Sequence, residues 1–308
     1  MQDMPKKVTL YSLPPTWGLP TFHPNFLKAY AYCKLAAIDF QNVQTSPSSM
    51  ADPNFETPVA DVSGKIVNGA DEIVETLRND VTDIDQPLQE KQRAQVFAFS
   101  SMIEDCLLPA MLHEWYMSDD NWFNVTRPLY TESATFPATV ILPWQVKGRM
   151  KNKLSVHEDV EALYKRADAC YSALSSFLGD QMFFFGSTPT SLDAVVFGHL
   201  APQLYAPMVE ARLKKQLRKY QNLCGFVDRI RKGYMSMPRI PPPDPAELEA
   251  ADAANANPKS AKSQLSTQEK AVRRRTRDFI ALGVVVTVAF LLFTNVIDVE
   301  TADEIQGE

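Results

Sequence analysis

The chain has 308 residues, and its 45% hydrophobic content is enough to build one large domain or two ordinary ones. Its formal net charge of −6 argues against nucleic acid as a partner, because proteins that bind nucleic acid carry basic surfaces. Cys33, Cys106, Cys170 and Cys224 are far apart and form no CxxC pair, which argues against a zinc site and a dithiol motif. We expect four reduced cysteines in the core.

The first eighty residues predict a small α/β layer. A β-rich run is followed by the breaking segment PPTWGLP, and the next apolar residues recur at helical spacing. Short β-branched runs and a Ser-Gly-Lys turn at residues 63–65 then predict a hairpin and a short helix. The predicted order is β-α-β-β-β-α, with strands at 7–13, 40–45, 57–62 and 66–67 and helices at 25–37 and 73–77.

After Pro87 the pattern becomes helical throughout. Apolar residues on one face predict a long helix over 89–117, which Pro109 should kink or split. Further amphipathic helices are predicted at 159–178, from Thr190 to about 204, and at 221–234.

Thr190 and Asp193 have the spacing of a capping box at the start of an apolar helix, just after Pro189. We favour this structural role because the backbone donors of a buried helix start must be satisfied. A catalytic carboxylate at Asp193 is the alternative.

The last seventy residues predict a membrane anchor on a tether. Residues 238–270 are poor in large apolar residues and predict a disordered linker. From Phe279 to Ile297 there is no charge, and the helical length of roughly 28 Å is close to the thickness of a bilayer core. A buried core helix is the alternative. Basic residues lie in the flank at 271–278 and an acidic tail occupies 298–308, so the N-terminal body should face the cytosol. The flank contains Arg273, Arg274, Arg275 and Arg277, for which a nuclear import signal is the other interpretation.

No combination of residues for catalysis or metal binding stands out. The α/β layer and the following helical part, with the third strand entered through Thr57-Pro58-Val59, resemble the glutathione transferase architecture. In that family a Glu-Ser or Asp-Ser pair binds the γ-glutamyl end of glutathione, and the corresponding residues here are Gly69 and Ala70, which lack ligand-binding side chains. Tyr11 or Ser12 is the candidate for an activating hydroxyl. We therefore expect no cofactor and no enzymatic activity.

Several segments together resemble the metaxin family, specifically its tail-anchored type. They are WGLP at 17–20, NVTRPLY at 124–130, FPATVILP at 136–143 and the long run at 163–197, in which FFFG-x-x-P-x-SLDA is the most specific pattern. The RRR flank before the anchor also matches.

This resemblance implies an α/β plus all-α fold: a thioredoxin-like N-terminal domain at 6–80 and an all-helical C-terminal domain at 87–237, followed by a transmembrane helix. It implies a subunit of the mitochondrial outer-membrane sorting and assembly machinery, which inserts β-barrel precursors. Its expected partners are the β-barrel core subunit, a second metaxin-like protein and the lipid bilayer. An adaptor linking mitochondria to motors and a tail-anchored glutathione-dependent transferase are the alternatives.

Overall fold

The computed structural model describes residues 7–45, 58–131, 138–154 and 159–235. The N-terminal part contains a four-stranded mixed sheet with the strand order β2-β1-β3-β4. Strand β1 is parallel to β2 and antiparallel to β3, and β3 is antiparallel to β4. The strands are β1 (Val8–Ser12), β2 (Phe40–Gln44), β3 (Val59–Val62) and β4 (Lys65–Asn68).

The hairpin between β3 and β4 has the predicted turn. Ser63 and Gly64 have positive φ angles of 54° and 92°, as the two central residues of a type I′ hairpin require. The Gly64 N–H also donates to Asp61 Oδ1 at 2.7 Å. This local geometry sets the register in which Val62 pairs with Lys65.

Two helices belong to this layer, α1 (Pro24–Leu35) and α2 (Ala70–Asp80). They contact each other, and α2 also lies against β3 and β4. Pro24 occupies the first turn of α1, where a missing N–H costs no hydrogen bond. The observed element order, β-α-β-β-β-α, is the predicted one.

The regular elements in the remaining described residues are all helices. The long helices lie close to their predicted positions, and the first of two π-helical turns lies within the helix predicted over 89–117. The fourth, fifth, sixth and ninth helices and the second π-helical turn were not predicted. The helices are α3 (Glu90–Leu112), α4 (Asp119–Asn121), α5 (Arg127–Thr131), α6 (Ala138–Leu154), α7 (Val160–Leu178), α8 (Ser191–Tyr205), α9 (Arg212–Leu217) and α10 (Gln221–Tyr234), and the π-helical turns are His113–Met117 and Trp122–Thr126.

The sequence predicts that Pro109 either kinks or splits helix α3. This helix is not split there and continues to Leu112. A proline has no N–H to donate to the carbonyl oxygen four residues earlier, which belongs to Asp105. The Arg166 side chain donates to that oxygen at 3.1 Å. The replacement of the lost backbone bond helps to explain why the helix is not interrupted.

Helix α8 lies at the centre of the core, and its residues from Ser191 to Gln203 are all buried. It contacts α1, α3, α9 and α10, which explains why its sequence is apolar on all sides. Gly198 permits its close approach to α1: a Cβ at this position would be 2.9 Å from the Lys28 backbone nitrogen and 3.0 Å from the Pro24 carbonyl oxygen. The sheet layer and the helical part are therefore joined by close backbone contact.

Within the described part of the chain, Glu90–Met117 is long and apolar enough to cross a membrane by length and composition. A core helix of a soluble protein meets the same criterion, and Ile103 and Leu107 of this helix are fully buried. The predicted linker, basic flank, span and acidic tail lie outside the described residues, as do residue 6 of the predicted N-terminal domain and residues 236–237 of the predicted helical domain.

Candidate functional site

The candidate site is the start of α2, where Gly69 precedes the helix and Ala70 is its first residue. The Gly69 N–H donates to the Pro58 carbonyl oxygen at 2.9 Å, which ties the helix start to the entry of β3. Gly69 has a φ of 99°, and a Cβ there would overlap Oε2 of Glu72. This position therefore requires glycine. Neither Gly69 nor Ala70 has a side-chain polar atom for a ligand.

Carboxylates surround this helix start. Asp71 and Glu72 are in its first turn. The Lys28 ammonium, on α1, contacts Asp71 Oδ1 at 2.5 Å and Glu104 Oε1 on α3 at 2.8 Å. The Lys28 side chain is only 3% exposed, so this ammonium depends on both partners. A carboxylate ligand would have to compete for a cation that is already paired, and the Glu72 carboxylate would repel it.

The two candidate hydroxyls differ in their surroundings. Ser12, at the end of β1, is buried and donates its hydroxyl hydrogen to Asn42 Oδ1 at 2.8 Å. Its carbonyl oxygen accepts from the Thr45 N–H at 2.8 Å. Tyr11 is half-buried and lies in the sheet register opposite Val43 and Val59. Ser12 therefore serves the β1–β2 contact and is not directed at a ligand.

The turn after β1 closes against the helical part. Thr16 and Leu19 exchange two backbone hydrogen bonds of 3.0 and 2.9 Å, and Trp17 has a positive φ of 54°. The Trp17 ring meets Trp115 edge to face, with 5.3 Å between the ring centroids, and lies 5.9 Å from the Phe22 ring. Edge-to-face aromatic pairs add attraction beyond the area that they bury. This turn joins the sheet layer to the first π-helical turn by an aromatic cluster.

Two buried histidines lie near the α1–α8 contact. Burial, with smaller contributions from Lys153 and His199, lowers the pKa of His23 to about 3. Burial also lowers the pKa of His199, whose Nδ1 lies 3.0 Å from the Val195 carbonyl oxygen. Both rings are therefore neutral at physiological pH, and neither is suited to act as a cationic acid there.

Thr190 and Asp193 lie at the buried start of α8, as a capping box requires. Asp193 Oδ2 accepts from the Thr190 N–H and hydroxyl, each at 2.7 Å, and Oδ1 accepts from the Phe184 N–H at 3.0 Å. Burial raises the pKa of Asp193 to about 6, although these hydrogen bonds oppose the increase. This carboxylate satisfies backbone donors and does not face a cleft, which favours the structural interpretation.

Sequence reasoning missed a second carboxylate at the same helix start. Asp85, in the segment between α2 and α3, accepts from the Ser191 N–H at 2.8 Å and from its hydroxyl at 2.5 Å. Its Oδ2 also lies 2.6 Å from the Arg78 guanidinium at the end of α2. Asp85 is 2% exposed. It links α2 to α8, although its partner Ser191 is 106 positions away.

All four cysteines are free thiols, and Cys33 and Cys170 are buried. Burial raises the pKa of Cys33 to about 12 and also raises the pKa of Cys170 and Cys224, so their reactive thiolate forms are disfavoured. The described residues contain no group of three or more His, Cys, Asp or Glu side chains that could hold a metal ion.

The sheet with its following helices defines a glutathione-transferase-like protein, and solved structures support this class. The chain is similar to a beta-etherase from Sphingobium sp. strain SYK-6, with a TM-score of 0.50 and 16% identity over 80% of this chain and 99% of that one. It is also similar to a glutathione transferase from Phanerochaete chrysosporium, with a TM-score of 0.51 and 13% identity over 74% of this chain and 97% of that one. At these identities the likeness establishes the fold alone.

Sequence comparisons then give the family. A family model described as "outer mitochondrial membrane transport complex protein" matches residues 27–147, and one for the glutathione S-transferase C-terminal domain matches residues 167–230. The chain is 34% identical to metaxin-3 of Xenopus laevis, covering 71% of this chain and 74% of that protein. It is 30% identical to metaxin-1 of Mus musculus, covering 92% and 89% respectively. The chain belongs to the metaxin family.

Proposed function

We propose that this chain is a non-catalytic subunit of the sorting and assembly machinery of the mitochondrial outer membrane, which inserts β-barrel precursors. The observation that carries this proposal is the start of α2, where Gly69 and Ala70 provide no polar side-chain atom for a ligand, in a chain of the metaxin family. The description of the matching family, a transport complex of that membrane, supports the location and the role.

Electrostatics support the non-catalytic part of the proposal. Glutathione carries two carboxylates, and the nearby Lys28 ammonium is already paired with Asp71 and Glu104. The Glu72 carboxylate lies over the helix start, where the γ-glutamyl group binds in glutathione transferases. A fold retained for protein contacts fits these residues better than one retained for glutathione.

The proposed attachment is a single C-terminal helix from Phe279 to Ile297, with the body in the cytosol. The absence of charge in this segment and the preceding Arg273, Arg274, Arg275 and Arg277 support this topology. Deletion of residues 278–308 should release the protein from mitochondria. Deletion of residues 298–308 alone is the matched control and should leave it in the membrane.

The assembly role is tested by purification of the full-length protein from mitochondria in mild detergent. We expect a β-barrel core subunit and a second metaxin-like protein to copurify in stoichiometric amounts. Recovery of the chain as a lone monomer, while other outer-membrane complexes remain intact, would contradict the proposal.

The competing function, a glutathione-dependent transferase, is favoured by the fold alone. Calorimetric titration of the full-length protein in detergent with glutathione separates the two. We expect no binding, or dissociation constants in the millimolar range, and micromolar binding would overturn the non-catalytic assignment.

A further inference from the structure

The outward face of α6 carries large apolar side chains. Ile141 and Trp144, one helical turn apart, are 50% and 55% exposed. Lys147 follows after another turn, and its ammonium lies 5.8 Å from the ring centroid of Phe123, which is itself 38% exposed. We call these four residues the α6 patch. On α6, Ile141 and Trp144 lie on the side away from Val146 and Met150, which are buried in the core.

Trp144 differs from the other tryptophans. The chain has four, of which Trp115 and Trp122 are each 1% exposed and Trp17 is half-buried within an aromatic cluster. An exposed tryptophan next to an exposed isoleucine leaves apolar area in water that the fold does not use.

Helix α6 is basic. Although the chain has a net charge of −6, Ala138–Leu154 contains no acidic residue and four basic ones. These are Lys147, Arg149, Lys151 and Lys153. Asp119, whose Oδ1 is 3.2 Å from the Lys147 ammonium, is an acidic neighbour and lies on α4. The patch therefore lies on a helix in which basic residues outnumber acidic ones, although Lys147 itself is paired with Asp119.

We propose that the α6 patch rests on an anionic lipid surface, with Trp144 and Ile141 reaching the boundary between headgroups and acyl chains. Amphipathic aromatic rings beside lysines match this boundary, where ring faces contact hydrocarbon and ammonium groups contact phosphate. An acidic body would be repelled from an anionic membrane, so a basic face determines which side can approach it. The inference rests on the proposed membrane attachment, which would hold the body near the lipid.

The test uses full-length protein reconstituted into anionic vesicles whose lipids carry bromine near the top of the acyl chains. Bromine quenches tryptophan fluorescence at short range, and Trp144 is one of four tryptophans. If the four contribute equally, complete quenching of Trp144 by brominated lipid reduces the emission by about a quarter, which is the upper limit that we expect. The Trp144→Phe variant, which keeps the apolar surface, should lose this quenching.

Two further arms identify the lipid chemistry. Quenching of the wild type should fall at least several-fold in zwitterionic vesicles. Quenching of the double variant Lys147→Gln plus Lys151→Gln should fall as much in anionic vesicles. A Met182→Ser variant is the control, because Met182 is also exposed, at 56%, but lies outside the patch. It should be quenched like the wild type.

Equal quenching of the wild type and Trp144→Phe, or equal quenching in zwitterionic and anionic vesicles, would overturn the proposal. Shielding of Trp144 only when a purified partner protein is added would also overturn it, in favour of a protein surface. Flotation of the same vesicles measures separately whether the C-terminal helix holds the protein in the membrane. Flotation without quenching refutes the patch alone, whereas quenching without stable flotation refutes the anchor alone.

Discussion

Replacement of Gly198 by alanine tests the joint between the two layers of the fold. The added Cβ would lie 2.9 Å from the Lys28 nitrogen, 3.0 Å from the Lys28 Cα and 3.0 Å from the Pro24 carbonyl oxygen. All three are backbone atoms of α1, so no side chain can rotate away and the two helices must separate. Such overpacking typically costs about 1–3 kcal/mol, and alanine in a helix returns about 0.5–1 kcal/mol.

The expected net loss is about 0–2.5 kcal/mol, or up to roughly 10 °C in the unfolding temperature of a body of this size. Thermal unfolding of the full-length protein in mild detergent, followed by circular dichroism, measures it. Gly148→Ala is the matched control: Gly148 lies within α6 with no atom in the way of a Cβ, so this variant should be more stable than the wild type by about 0.5–1 kcal/mol. If Gly198→Ala were as stable as Gly148→Ala, the inferred close contact between α1 and α8 would be wrong.

Three further predictions concern buried charges. Asp85→Ala should destabilise the protein by about 3 kcal/mol because Ser191 and the Arg78 guanidinium lose their acceptor. The control, Asp119→Ala, removes an 80% exposed carboxylate and should change stability by less than about 1 kcal/mol in the same unfolding assay. Burial, opposed by hydrogen bonds from α9, raises the pKa of Glu114 from its ordinary 4.5 to about 7. The contribution of Glu114 to stability is therefore greatest below pH 4.5 and falls by roughly 3 kcal/mol as the pH rises to 7. Glu114→Gln should remove that fall, which denaturant unfolding at a series of pH values measures. Lys28→Met should destabilise the protein by about 2 kcal/mol in the same thermal unfolding assay, because two carboxylates lose their buried partner.

Each of these has a clear contrary result. Equal effects of Asp85→Ala and Asp119→Ala would show that the buried link between α2 and α8 adds nothing. Parallel pH profiles for wild type and Glu114→Gln would show that Glu114 ionises normally in the folded protein. A Lys28→Met variant as stable as wild type at neutral pH would show that the methionine packs as favourably as the ion pairs.

The local features of the fold could be predicted from the sequence because their causes lie within a few residues. Helix α10 has the predicted bounds, Gln221–Tyr234, since its apolar stripe repeats at helical spacing. The Ser63-Gly64 turn follows from residues that tolerate positive φ. The short helices α4, α5 and α9 and the second π-helical turn were missed because they have too few residues for a periodic pattern to show.

The sequence by itself therefore determined the order of the elements in the sheet layer, the small residues Gly69 and Ala70 before the second helix, and the charge-free segment from Phe279 to Ile297. Only the tertiary structure decided which distant residues meet. Lys28 finds Asp71 and Glu104, which are 43 and 76 positions away, and Asp85 finds Ser191 across 106 positions. Nothing in the composition of these segments marks them as partners, because each contact depends on how α1, α2, α3 and α8 pack in three dimensions.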